Sequence, residues 1–230
     1  MGLRGGLAAG QVMVAHAEEY IYTEFGNRAD SARAPGAASF TRAAHAFVIP
    51  NLSAYEVITE QWGKPSQVDA FLRAPSAAYL SPRRRQQWRD ADYVSRFGSL
   101  GRKIDFLRWF TKVLSDSGVP LLLGTDAPGI PGMAPGFAIH EDLRNMILAG
   151  LTPYQALVAG TRAPGEFIWR YVPRAERFGI VAGGYRADLI LVNENPLRDV
   201  TTLKAPVGVM VRGRWLGAAV LRRALDSLRT

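Results

Sequence analysis

The chain has 230 residues, of which 48% are hydrophobic and 21% charged, so it can fill a core and is not a disordered protein. It holds no cysteine and no run of 18 apolar residues, which excludes a disulfide scaffold, a zinc finger, an iron–sulfur cluster, a thiol nucleophile and a transmembrane helix. Its net charge of +8 has one tight source, the Arg83, Arg84, Arg85 triplet, which Asp90 and Asp92 dilute; a solvated helix face is the reading, and no nucleic acid or membrane partner is expected.

Leu3 and Leu7 stand one turn apart with Gly10 behind them, predicting the end of a helix over 3–9. Residues 12–15 are all apolar and His16 closes the run, the pattern of a strand buried on both faces in a parallel sheet. The pattern returns at 47–50 and at 119–124, each time after a helical segment. The clearest of these segments is 102–117, with Ile104, Leu107, Phe110 and Leu114 at helical spacing and Gly118 as the stop. Between Ser53 and Gly101 helix-like pieces at 55–62, 68–73 and 83–97 are broken by Pro65, Pro75 and Pro82, and the stretch reads as an insertion after the second strand. Beyond 135 come a helix over 137–148 and another from 151, with Thr152 as N-cap and Pro153 at the first helical position. From Phe178 onward glycine-punctuated strands are predicted: a turn at Gly183 and Gly184, strands at 187–192 and 207–211, and a turn at Gly213 and Arg214 into Trp215. Helix and short apolar strand in alternation predict a parallel α/β architecture.

In such an architecture the residues that do chemistry stand at the C-terminal ends of strands. His16 and Asp126 both do, and both are metal-ligand types; an Asp beside a metal-bound water also serves as general base. A lone strand-end His is more often structural than a ligand, but the pairing with Asp126 favours the ligand reading. His45 lies just before its strand and is read as structural. His140, near the start of the 137–148 helix, supports the site from behind, meets substrate, or is simply solvated. Glu18 and Glu19 directly follow His16, and either one facing the site or ordinary first-turn acidity accounts for them.

Three stretches resemble the amidohydrolase superfamily, most closely its imidazolonepropionase-like and prolidase-like members. They are Leu-Leu-Leu-Gly-Thr-Asp-Ala over 121–127, Pro-Gly-Phe over 135–137 with His-Glu-Asp-Leu over 140–143, and Ala-Gly-Leu-Thr-Pro-Tyr-Gln-Ala-Leu over 149–157. The run 178–189, followed by Asn195, Pro196 and Leu197, resembles that family's return from its barrel into a small β-sandwich. The resemblance covers nearly the whole chain and is weak only over about 53–100. It implies a hydrolase in which one or two divalent ions, zinc above all, activate water against a carbon–nitrogen bond. Family ligands are a His-x-His pair after the first barrel strand, often a carboxylated Lys after the fourth, a His after the fifth, a His after the sixth and an Asp after the eighth. Asp126 matches the last of these and His16 the sixth.

There is no His-x-His, and nothing before His16 supplies strands one to five. The expected fold is therefore the C-terminal part of a (β/α)8 TIM-type barrel, strands six to eight, over 1–177, followed over 178–230 by the C-terminal part of a small β-sandwich and a C-terminal helix. The expected function is metal-dependent hydrolysis of an amide, cyclic amide or small peptide, with Asp126 catalytic, His16 and Asp126 on the metal, and His140 behind them or at the substrate. The expected partners are that substrate and an N-terminal barrel half, since exposed strand edges also invite aggregation or self-association. The alternatives are an inactive fragment, a subunit of a split enzyme, or a basic binding module acting through Arg83 to Arg89. A soluble chain, cytoplasmic by default, is expected.

Overall fold

The three apolar runs come together side by side in the computed structural model, which describes residues 2–229. β1 (Met13–Ala15) pairs in parallel with β2 (Phe47–Ile49), Val14 opposite Val48. The third run does not form a regular strand. It joins β2 through a single parallel bridge, Val48 to Leu121, with Val48 N–H bonded to Pro120 O at 3.0 Å and Leu122 N–H to Val48 O at 2.8 Å. Pro120 brings no amide N–H on one side of the bridge and Pro50 none on the other, so the ladder extends in neither direction.

Helices bury these strands on both sides. α1 (Leu3–Ala8) precedes β1; α2 (Glu19–Thr23) and α3 (Ala34–Ala43) lie between β1 and β2; α4 (Leu52–Gln61), α5 (Pro65–Arg73), α6 (Pro82–Arg89) and α7 (Lys103–Asp116) lie between β2 and the third run. After it come α8 (Ala138–Leu148), α9 (Pro153–Gly160) and α10 (Arg162–Tyr171). The sequence predicts one helix-like piece over 83–97; the structure gives α6 and a separate 3₁₀ turn, Asp92–Ser95. On one side Val14 and Val48 meet Leu107, Phe110 and Leu114 of α7 and the small residues Ala34, Ala37 and Ala38 of α3. On the other, Phe47 and Leu122 pack with Ala163, Phe167 and Tyr171. Burial on both faces is why these runs carry no polar alternation.

The region predicted as an insertion grips the loop after the third run. Trp88 Nε1 donates to Pro128 O at 3.0 Å, Gln61 Nε2 donates to Pro131 O at 3.2 Å, and Met133 and Ile130 are buried against Ala54. α9 opens with Thr152 as N-cap and Pro153 in its first turn, as its sequence predicts, and Gln155 closes a capping box with Thr152.

The chain ends in an antiparallel sheet of β3 (Leu189–Leu191), β4 (Gly208–Val211) and β5 (Arg214–Gly217), then α11 (Ala218–Asp226). The hairpin turn falls on Arg212 and Gly213, both at positive φ, one residue earlier than the sequence suggests. Ile190, Leu191 and Trp215 of this sheet are exposed. Among the described residues no helix is long and apolar enough to cross a membrane.

Candidate active site

The C-terminal ends of the adjacent runs share an unusual backbone. His16 after β1, Asn51 after β2 and Asp126 after the third run have φ of 73°, 52° and 60°. Left-handed backbone at a residue other than glycine costs on the order of 1–3 kcal/mol and gathers at functional sites. His, Asn and Asp tolerate it best. The His16 amide still donates to Ile49 O at 2.8 Å, so the turn begins while the ladder is intact. Gly124 lets the third run come close: a Cβ there would lie 2.5 Å from Ile49 Cγ2.

These turns set His16 and Asp126 face to face across a cleft of about 340 Å³, with His16 Nε2 3.8 Å from Asp126 Oδ2. Glu18 and Glu19 separate here: Glu19 is exposed, whereas Glu18 is buried and its Oε1 accepts from His16 Nδ1 at 3.0 Å. That bond directs Nε2 at Asp126. It also holds the imidazole pKa above its ordinary value, against the opposing effect of burial and with the added charges of Glu18, Asp126 and Glu19. Glu18 Oε2 is buried with no hydrogen-bond partner.

The far wall holds three residues whose place the sequence does not announce. Tyr22 from α2, Tyr55 from α4 and Lys103 from α7 line the cleft, and Ile58, Trp62, Tyr93 and Ile130 form its apolar side. Burial, and next the charge of Glu18, push the Tyr55 phenol well above its ordinary pKa, so it stays protonated. His140 does not line the cleft. Burial, then the charge of Lys204, lower its pKa. His45 is exposed in the turn before β2, and on α6 Arg83 is exposed and Arg84 half-buried, both clear of the cleft.

A buried carboxylate braces the loop that carries Asp126. Asp142 of α8 is fully buried, and its Oδ1 accepts from both the amide and the hydroxyl of Ser53 at 2.9 Å. Asn51 makes no side-chain cap for α4, so Asp142 supplies from another helix the acceptor that an N-cap would. Burial raises the Asp142 pKa to about 6, against the amides of Ser53, Gly124 and Leu52 and the Ser53 hydroxyl, which favour the charged form. A folded-state pKa above the unfolded one means the native state binds the proton more tightly, so this group makes the fold more stable as pH falls from about 7 to about 4. Asp142→Asn should remove that gain, on the order of 2–3 kcal/mol at most. Urea midpoints of wild type and variant at pH 4.5 and 7 check this; an unchanged difference between the two proteins would refute it.

The donor chemistry fits two ligands of a divalent ion. Two donors on a tetrahedral zinc stand about 3.4 Å apart, close to the spacing across the cleft. Among the described residues no group of three or more His, Asp and Glu is placed to hold a metal.

No family model matches the chain. It is 36% identical over 95 residues, 40% of its length, to ochratoxinase from Aspergillus niger, a stretch that is 18% of that protein. Its structure superposes on bottromycin amidohydrolase over 99% of the chain and 51% of that structure, with a TM-score of 0.69 and 23% identity. It also superposes on a Xaa-Pro dipeptidase over 92% of the chain and 41% of the other, with a TM-score of 0.58 and 16% identity. The chain thus spans about half or less of the proteins it resembles.

Proposed function

We propose, from the premise that the chain resembles the amidohydrolase superfamily in fold over nearly its whole length and in sequence over 95 residues, that it carries the reactive C-terminal part of an enzyme hydrolysing an amide or small-peptide carbon–nitrogen bond. In this reading β1, β2 and the third run are strands six to eight of a (β/α)8 barrel within 1–177, with the insertion at about 53–100. Residues 178–230 hold the return strands of a β-sandwich and the C-terminal helix. The observation that carries the reading is the pair His16 and Asp126, turned toward each other at 3.8 Å from the ends of the two runs that flank β2.

His16 and Asp126 would hold a divalent ion, zinc by donor type. The ion when bound supplies Lewis acidity toward the carbonyl and lowers the pKa of water. Asp126 takes the proton of the attacking water as its oxygen bonds to the carbonyl carbon. It then passes that proton to the nitrogen as the carbon–nitrogen bond breaks, so that an amine and an acid leave. Glu18 holds the His16 ring in place through Nδ1. His140 takes no step.

Completion by further strands belongs to the same proposal. Among the described residues β1 has a partner on one edge only, and the apolar Ile190, Leu191 and Trp215 of the small sheet are exposed, which suits strands supplied by another segment. Two ligands where catalytic zinc has three should hold the ion weakly. The 230 residues alone are therefore expected to lose zinc to a chelator wash, whereas the assembled enzyme keeps it and hydrolyses N-acyl amino acids or dipeptides. Stoichiometric zinc on the washed chain would overturn the incomplete site. An assembled enzyme that cleaves no carbon–nitrogen bond would overturn the reaction.

A further inference from the structure

Among the described residues Lys103 is the one lysine or arginine lining the cleft, and it forms no ion pair. The two acids of the cleft, Glu18 and Asp126, are engaged with His16 instead. Lys103 Nζ donates to Tyr22 Oη at 2.8 Å and Tyr55 Oη at 3.2 Å, and stands 4.6 Å and 4.7 Å from the two ring centroids. Aromatic faces and phenol oxygens hold an ammonium in place without cancelling its charge.

The hydrogen-bond inventory leaves donors over. The two phenols lie 2.6 Å apart, so one hydroxyl hydrogen bonds the other oxygen and the second is not used. Lys103 spends two of its three N–H groups. One ammonium hydrogen and one phenol hydrogen therefore remain, a two-donor arrangement that suits the two oxygens of a carboxylate. Lys103 is also the first residue of α7, where the helix dipole is positive and disfavours a cation, whereas a bound anion would reverse that repulsion.

We propose that Lys103, held between Tyr22 and Tyr55, binds a carboxylate of the substrate, so that the amide entering the cleft carries an acidic group. The inference rests on the cleft being the reactive site, but its test needs no turnover. Binding of N-acetyl-L-phenylalanine and of N-acetyl-L-phenylalaninamide, which lacks the charge, is measured by calorimetry on the wild-type chain, Lys103→Gln and Lys103→Arg. The acid should bind roughly tenfold or more tightly than the amide in wild type, a charged hydrogen bond being lost with the amide. That preference should vanish in Lys103→Gln and persist in part in Lys103→Arg, which keeps the charge with a different shape. Equal binding of the two ligands by wild type, an undiminished preference in Lys103→Gln, or no saturable binding of either ligand would each overturn the subsite. A chain that prefers the acid, within an enzyme that hydrolyses nothing, would sink the reaction and leave the subsite standing.

Discussion

Asp126→Asn should lower carbon–nitrogen hydrolysis by the assembled enzyme by roughly 10³-fold or more, with the fold unchanged. Asn keeps the size of Asp but cannot accept and return the proton, and as a neutral amide it is a poorer metal ligand. The backbone has no reason to move, because Asn tolerates the left-handed φ of 60° found at this position as readily as Asp does. The side chain is half exposed and makes no short hydrogen bond, so little native stability depends on it. Initial rates together with a thermal melt separate the two effects. A variant with near-normal turnover would remove Asp126 from the mechanism, and one that melts far below wild type would show that the residue is structural.

Phe110→Ala should cost roughly 3–5 kcal/mol of stability. Phe110 is fully buried in the center of α7, edge-on to Tyr20 with ring centroids 4.9 Å apart and to Phe25 at 5.4 Å, and near Phe106 at 6.2 Å. Truncation removes ring area and leaves the surrounding aromatic side chains facing a void. These rings come from α2, the segment after it and α7, so they cannot close over the gap without moving whole elements. The melting temperature should fall by about 10 °C or more. Urea midpoints give the free energy directly, and a loss below about 1 kcal/mol would mean that this cluster relaxes easily.

Both expectations start from features that can be read along the chain. The spacing of Ile104, Leu107, Phe110 and Leu114 specifies α7 and its buried stripe, because a helix repeats every 3.6 residues whatever it packs against. Thr152, Pro153 and Gln155 specify the start of α9 through hydrogen bonds made within one turn. His16 and Asp126 are legible for a similar reason: each directly follows an apolar run, and the end of a run is a local property.

What lies beyond neighbouring residues depended on which elements meet. That Glu18 rather than Glu19 faces His16 follows from the left-handed turn at His16, which sends one acid inward and the other to solvent. Pairing decided that 119–124 forms one bridge instead of a strand, since the next donors on either side of the bridge would be Pro120 and Pro50, which have no amide hydrogen. Lys103 meets Tyr22 across 81 residues and Tyr55 across 48, and Asp142 meets Ser53 across 89. A lysine at a helix start and an aspartate inside a helix look solvated in sequence. Only the packing of α7 against α4 gives Lys103 its partners, and only that of α8 against the start of α4 takes Asp142 out of water, because desolvation is a property of the assembled interior and not of the residue.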